Sequence, residues 1–407
     1  MLSIGLSPNL EKDDIFAALS RLLLFWRWKG TISQERLEHA FFDYFNNENV
    51  YLFNSGRSAL YVFLKSLNLK ESDEILLQAF TCNAVTNPIT WAGAKPIYAD
   101  IDETYNIDVE KLEQKITPNT KAIIVQHTFG IPAKIDKIKE IAQRRDILLI
   151  EDCAHALGAT YNEKRVGTFG DIAFFSFGRD KVISSVYGGA LIINNKKFLK
   201  PFVREYAKLK HPSDIWTLQQ IIHPIITGFV LATYNQFGKY LHYTVKRLKI
   251  LSKAVTRGER RGKMPSYFPA TLPEPLAYLA LKQFFKLERF NRHRREIAQI
   301  YEGSLKERPE FQTVENYDRG AIFLRYPVRA KRAHDIMHHA REAGYILGDW
   351  YKEVIAPKGT DKQKMNYTSG NCISAEKYAQ NIINLPTNIR TSREDAEKII
   401  ELLIRHK

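Results

Sequence analysis

The chain predicts an α/β protein, with a large domain built on a mostly parallel sheet covered by helices and a smaller C-terminal α+β domain. Three observations predict it. Short apolar runs alternate with amphipathic stretches from Val50 to about Asn195, and that alternation builds parallel sheets buried on both faces. The pattern breaks between about Lys200 and Pro265 and resumes in a different form. A length of 407 residues exceeds what one hydrophobic core sustains, so a second domain is expected.

Residues 1–45 read as an N-terminal helical arm. Residues 46–199 read as the large domain, with strand-like runs at Tyr51-Leu52-Phe53, Ile75-Leu76-Leu77, Pro96-Ile97-Tyr98, Ala122 to Val125, Leu148-Leu149-Ile150, Ile172 to Phe175 and Ala190 to Ile193. Between them, Val109-Leu112-Ile116 and Ile135-Ile138-Ile141-Ala142 repeat at helical spacing. Residues 200–265, rich in aromatic and β-branched side chains and then basic, read as helices inserted between the domains. Residues 266–407 form the small domain. It opens on one long helix from Glu274 carrying Leu276, Leu279, Phe284, Leu287 and Ile297. A strand follows near Ile322-Phe323-Leu324, and helices at Ala375–Ile383 and Arg393–Ile404 close the chain.

Hydrophobic content of 44% and charged content of 26% are those of a soluble globular protein. Cys82, Cys153 and Cys372 are odd in number and far apart. They form neither a disulfide framework nor a metal-ligand set, so a reducing compartment and no metal are expected. Met1-Leu2-Ser3-Ile4 does not open a signal peptide, because Glu11, Asp13 and Asp14 stand where its apolar core would lie. No apolar run reaches the ~18 residues of a spanning helix; the nearest, Ile221 to Tyr234, is interrupted by His223 and Pro224. A cytoplasmic location is the expectation.

The net charge of +15 is concentrated. Lys239, Lys246, Arg247, Lys249, Lys253, Arg257, Arg260, Arg261 and Lys263 share a stretch whose only acid is Glu259. Such a segment attracts phosphate, as nucleotide, anionic lipid or nucleic acid, or is simply a solvated surface helix. No helix-turn-helix, zinc or RNA-binding signature accompanies it, so sequence-specific nucleic-acid binding is not expected.

In a parallel α/β sheet, ligands sit beyond the carboxyl ends of the strands. Asn54-Ser55-Gly56-Arg57-Ser58-Ala59-Leu60 follows the first run and opens a helix. Gly56 lets backbone N–H groups approach an anion there, with the Ser55 and Ser58 hydroxyls as added donors, or Ser55 is a plain N-cap. Glu151-Asp152 ends a core strand, where an aspartate caps the next helix or faces a ligand. Lys181 follows Phe175-Ser176-Phe177 and precedes Gly188-Gly189; alone it would be a surface charge. Taken together, an acid at one strand end and a lysine past the next suit a pyridine cofactor. The carboxylate pairs with a protonated ring nitrogen and the amine forms a Schiff base, so pyridoxal 5'-phosphate is the predicted cofactor. Ser176 is placed to reach the cofactor phosphate, and the two glycines permit the turn into the next strand.

Five blocks in order make the sequence resemble the DegT/DnrJ/EryC1/StrS family of sugar aminotransferases, of PLP fold type I. They are residues 54–60, Gly93 to Asp102, His127-Thr128-Phe129-Gly130-Ile131-Pro132, Glu151 to Ala159, and Gly170-Asp171 with Phe175 to Lys181. The resemblance runs from about Leu37 to the C-terminus. It implies Lys181 as the Schiff-base lysine and catalytic residue, Asp152 as the pyridinium partner, and Ser176, Gly56 and Arg57 at the phosphate. His155 falls where relatives carry glutamine or histidine against the ring. Relatives place an aromatic residue after threonine near the ring; here the pair is Thr81-Cys82, with Phe80 on the other side, so Phe80 and Cys82 are candidates for ring packing. An Asn-Tyr-Arg motif of relatives, whose asparagine reaches the partner's phosphate, is replaced by Phe268-Pro269-Ala270-Thr271.

The resemblance implies transamination between an amino acid, glutamate, and a nucleotide-linked keto-sugar, giving an amino sugar for a surface polysaccharide or related glycan. It also implies a homodimer. Two other readings stand beside it. One is a regulatory relative that keeps PLP without turnover. The other is an enzyme peripheral to the inner membrane surface, acting on a lipid-linked sugar through 216–255, where Ile, Phe, Tyr and Lys mix as in an interfacial helix. That same stretch suits packing against a second subunit.

Overall fold

The computed structural model describes residues 2–248 and 250–407, with Asn235 described through its backbone alone. Met1 and Lys249, both named above, lie outside the described residues. Seven strands form the central sheet: β1 Val50–Phe53, β2 Glu74–Gln78, β3 Lys95–Ala99, β4 Thr120–Gln126, β5 Leu148–Asp152, β6 Ile172–Ser176 and β7 Gly189–Ile193. Their spatial order is β1-β7-β6-β5-β4-β2-β3. β7 runs antiparallel to both neighbours, and the other contacts are parallel. Each strand covers the apolar run that predicts it, because a strand buried on both faces needs apolar side chains at every position. The result is the α/β fold type I architecture, a large mixed-sheet domain with a smaller α+β domain.

The N-terminal arm contains α1 Lys12–Leu23 and α2 Ile32–Phe45. The buried stripe of α2, Leu37, Phe41 and Phe45, lies on the sheet face, with Phe41 5.6 Å from Phe175. Before α1, Leu2–Ser3 pairs in parallel with Tyr345–Ile346 of the small domain, a strand too short to leave a periodic signal. The sheet is covered by α3 Gly56–Ser66, α4 Asn83–Trp91, α5 Val109–Gln114 and α6 Ile135–Arg144. In α6 the residues at helical spacing, Ile135, Ile138, Ile141 and Ala142, pack on Ile123, Val125 and Leu149.

The inserted stretch is helical, as expected: α7 Leu199–Tyr206, α8 Asp214–Ala232, α9 Lys239–Arg247 and the single turn α10 Arg257–Arg260. The expectation that no apolar run is long enough to span needs correction. His223 and Pro224 do not interrupt α8, which continues through both for 19 residues with mean hydropathy 1.4, long and apolar enough by composition to cross a membrane. Both residues are buried against the protein.

The long helix expected from Glu274 is two helices, α11 Glu274–Phe284 and α12 Leu287–Leu305. The break carries Lys286, whose amine reaches Asp13 at 2.6 Å, Asp14 at 3.0 Å and Glu11 at 3.2 Å. The small sheet contains β8 Phe311–Gln312, β9 Arg325–Ala330 and β10 Ile382–Pro386, antiparallel in the order β8-β9-β10. The strand expected at 322–324 begins only at Arg325. Phe323 has φ of 49°, and the Ile322 and Leu324 N–H groups donate to Gly130 and Phe129 instead. Helices α13 Ala333–Glu342, α14 Ile373–Asn381 and α15 Arg393–Arg405 flank the sheet. The closing helix expected to reach Ile383 ends at Asn381, since Ile382 and Ile383 belong to β10.

Candidate active site

The carboxyl ends of β1, β5 and β6 bring the predicted residues to one side of the sheet. Gly56 opens α3, and a Cβ built there would lie 3.2 Å from Ser176 Cβ. The first residue of α3 therefore packs directly on Ser176. Gly189 is required for that approach, because its Cβ would lie 2.5 Å from the Gly56 nitrogen. Ser55 is the N-cap of α3 and accepts the Ser58 N–H at 3.1 Å. The capping reading of this motif thus holds, and the N-terminus still offers the positive end of an eleven-residue helix. Ser58 turns away: its hydroxyl donates to Asn54 Oδ1 at 2.6 Å. Asn54 in turn donates to the carbonyls of Tyr267 and Ala270.

Arg57, expected at an anion, is engaged by a side chain. Its guanidinium pairs with Glu259 of α10, donates to the Ala254 carbonyl and lies 4.9 Å from the Phe268 ring centroid. Burial opposes the charge on Arg57, and Glu259 together with Tyr187, Cys82 and Tyr267 outweighs it, so the guanidinium is held more firmly charged than usual. The one acid of the basic stretch is fully buried against this arginine. Its backbone is fastened too, since Asn83 and Asn87 both donate to the Glu259 carbonyl.

At the other end of the site, Asp152 is buried at the tip of β5 and accepts the Ala154 N–H at 3.0 Å. Burial raises its carboxyl to about 6, against the lowering effects of the Ala154 N–H, Lys181 and His127. Burial also lowers the Lys181 amine, opposed by Asp180, Cys82 and Asp152. The lysine is thereby shifted toward the neutral, nucleophilic form. Burial, with Lys181 and Arg325 nearby, holds His155 neutral. His155 Nδ1 accepts the Phe129 N–H at 3.3 Å, which leaves the ring proton on Nε2, 3.4 Å from the Tyr351 hydroxyl.

Phe80 and Cys82 flank this space unequally. Phe80 is buried, stacked 5.6 Å from Tyr105 and edge-on to Tyr351 at 5.4 Å. Cys82 caps α4 with its sulfur and is close enough to Lys181 for their charges to interact. The aromatic ring nearest the lysine belongs to neither. Trp350 lies 4.7 Å from Lys181 Nζ, parallel to His155 at 5.2 Å, with the Arg325 guanidinium 3.3 Å from its centroid. Asn384 holds the Trp350 backbone from both sides, at 2.8 Å each.

Sequence reasoning missed Trp350, Arg325 and Asn384, which come from the small domain. It also missed Asn9. The Asn9 amide donates to the Lys181 carbonyl at 2.7 Å and to Val182 at 3.0 Å, and Arg294 binds Asn9 Oδ1 at 2.9 Å. The lysine loop is thus clamped by the N-terminal arm. Only Asp180, next to Lys181 and 3.3 Å from Arg325, carried a sequence hint, as a second acid inside a matched block. Beneath the site, Glu151 accepts the N–H groups of Gly167, Phe169 and Gly170 at 2.7 Å and faces His127 Nε2 at 3.2 Å. His127 Nδ1 accepts the Ala133 N–H. These groups are saturated by one another and hold the strand ends in place.

An uncharacterized protein of Methanocaldococcus jannaschii is 38% identical over 191 residues, 47% of this chain and 49% of that protein. GDP-perosamine synthase of Escherichia coli O157:H7 is 43% identical over 144 residues, 35% of this chain and 40% of that enzyme. The matched stretches thus span half or less of these curated relatives. The sugar aminotransferase CalS13 from Micromonospora echinospora superposes with a TM-score of 0.76 over 100% of both chains at 20% identity, a likeness of fold. The family model for DegT/DnrJ/EryC1/StrS aminotransferases matches residues 11–205 and 245–404, and on that extent the chain belongs to the DegT/DnrJ/EryC1/StrS aminotransferase family.

Proposed function

We propose that this chain binds pyridoxal 5'-phosphate and transfers an amino group from an amino acid, glutamate, to a nucleotide-linked keto-sugar. The product is an amino sugar for a surface polysaccharide or related glycan. One observation supports the reading: the buried carboxyl of Asp152 lies close enough to the Lys181 amine for their charges to interact, and the first residue of α3 packs on Ser176 at the end of the neighbouring strand. The donor set fits the cofactor. Asp152 is a buried acid without a lysine or arginine in ion-pair contact among the described residues. Ser55, Gly56 and Ser176 supply an anion cradle at a helix N-terminus.

When bound, the cofactor supplies a carbonyl that takes up amino groups and a ring that accepts electrons. Asp152 holds the proton on the ring nitrogen. Lys181 Nζ carries the cofactor at rest and then moves the proton at the donor's α-carbon, as base and then acid, which a burial-lowered amine does well near neutral pH. His155, neutral and fixed by the Phe129 N–H, orients the ring without adding charge. Trp350 and Tyr351 close the space from the small-domain side and exclude water. Phe80 backs Tyr351, and Cys82 borders the space where relatives carry an aromatic ring.

Within this proposal the chain divides into an arm (1–45), a cofactor-binding domain (46–199), inserted helices (200–265) and a small domain (266–407). It works as a homodimer in the cytoplasm. Action at the membrane surface is a second reading, favoured by the apolar side chains that α8 turns outward.

The test is Lys181→Ala. Purified wild type supplied with cofactor is expected to be yellow, to be fixed on Lys181 by borohydride, and to lose its visible absorbance when glutamate is added. The variant is expected to show none of these and no aminated product from a panel of nucleotide-linked keto-sugars. A variant with unchanged turnover, or a wild type that stays colourless, overturns the proposal.

A further inference from the structure

The inserted helices carry an arrangement that the proposed reaction does not use, and the family model passes over residues 206–244. Helix α8 carries apolar side chains on its outer as well as its inner face. Trp216, Ile221 and Val230 are buried against the body of the protein, together with Thr217, Gln220, His223 and Thr227. Ile215, Leu218, Ile222 and Phe229, at helical spacing, form the outer stripe. Ile215 is 82% exposed and Phe229 52%. A surface helix in water ordinarily turns polar and charged residues outward, and α8 does not.

The polar part of the inner face is satisfied inside the molecule. The Gln220 amide donates to the Trp216 carbonyl at 2.9 Å, Ser252 donates to Gln220 Oε1, and Arg179 donates to Ser252. Helix α8 therefore lies pinned to the protein along its length, which gives its apolar stripe one fixed outward direction. The stripe extends beyond α8. Ile15 of α1 packs on Gly228, where an added Cβ would meet Ile15 Cδ1 at 2.4 Å. Phe16, the next residue of α1, is 69% exposed, and the Phe229 ring meets Phe237 at 5.9 Å. Tyr240 and Tyr243 of α9 follow at helical spacing, 74% and 65% exposed.

Cations border the aromatic residues. Lys239, Lys246 and Arg247 are exposed on α9. Between Asp214 and Glu274 the chain has one acid, Glu259, which is buried on Arg57. We infer that the surface formed by α1, α8 and α9 docks flat on an anionic phospholipid bilayer, with the apolar stripe among the acyl chains and the cations at the headgroups. Aromatic rings and lysines on one helical surface are the composition of an interfacial anchor. Each cation near an anionic bilayer adds favourable energy. A second copy of this chain is the competing occupant. A two-fold contact through this face brings α9 of one copy against the same cations of the other, which like-charge repulsion opposes. The inference concerns a surface and is independent of the transamination reading.

Flotation of the full-length, cofactor-supplied protein with vesicles tests it. The protein is expected to float with phosphatidylglycerol vesicles and to remain behind with phosphatidylcholine vesicles at physiological salt. Lys246→Glu with Arg247→Glu is expected to lower the bound fraction about tenfold or more. Phe229→Ser with Tyr240→Ser is expected to act comparably. Ile373→Ser, an exposed apolar change on α14, should leave it unchanged. Vesicle-free assays of amino transfer should not separate the charge variant from wild type, so a failure of docking is distinct from a failure of catalysis. Equal binding to both vesicle types, or binding unmoved by the charge pair, overturns the inference. So does a fall in sedimentation coefficient of either variant without lipid, which would assign the face to a second copy.

Discussion

At the residue scale, Asp152 carries the clearest consequence. Its carboxyl is raised to about 6 by burial, from an ordinary value of 3.8. The folded protein without cofactor therefore binds a proton there more tightly than the unfolded chain does. The stability this provides is full below about pH 4 and is lost as pH rises through about 6, at roughly 1.4 kcal/mol per unit. Cofactor-stripped Asp152→Asn is therefore expected to melt higher than the stripped wild type at pH 8, by the equivalent of about 1–3 kcal/mol, and to match it at pH 4. With cofactor the order should reverse at pH 8, since asparagine cannot hold the ring proton. Melting curves at the two pH values, with and without cofactor, check both signs; an unaltered difference between pH 4 and pH 8 would contradict the assignment. Asp152 and Lys181 could be read from the chain because each follows an apolar strand whose carboxyl end faces ligand space. Trp350 could not be, since nothing in Gly348-Asp349-Trp350-Tyr351 marks a loop that Asn384 fastens beside the lysine.

At the scale of elements, the seven central strands were readable because strands buried on both faces must be continuously apolar. The small sheet was less so. Its strand was expected three residues early, because Ile322-Phe323-Leu324 is as apolar as a strand, yet it packs against the loop at Phe129 and Gly130. The most consequential element is the four-residue α10, too short for any periodic pattern to reveal. Thr256 and Glu259 form its capping box, and the same carboxylate meets Arg57. Removing one partner of a buried pair leaves an unmatched charge, which costs about 3–5 kcal/mol. Glu259→Gln is accordingly expected to destabilise the protein by about 2–4 kcal/mol, somewhat less because Arg57 keeps the Ala254 carbonyl. Urea unfolding measures the loss. A change below about half a kcal/mol, the level typical of surface positions, would mean that Arg57 finds solvent or another anion without Glu259.

At the scale of the molecule, the two sheets meet through the site rather than beside it. Arg325 opens β9 of the small sheet and is buried. It donates to Asp180 at 3.3 Å and covers the ring of Trp350. Asp180 precedes Lys181, whose carbonyl Asn9 holds from the arm. Three separate parts of the chain thus converge on one lysine, and neither hydrogen bond follows from local pattern, since each joins residues more than a hundred positions apart. Arg325→Met keeps much of the side-chain volume and removes the charge. The expected result is a loss of about 1–3 kcal/mol, moderated because Asp180 is partly exposed. The loss should be accompanied by weaker cofactor binding, because Trp350 loses the group that flattens it against His155. Asp180→Asn in the Arg325→Met background should restore part of the stability by removing the stranded charge, without restoring cofactor affinity. A double variant that regains both would reduce Arg325 to a counter-ion. One that regains stability alone would show that the small domain shapes the lysine's surroundings through the ring it holds.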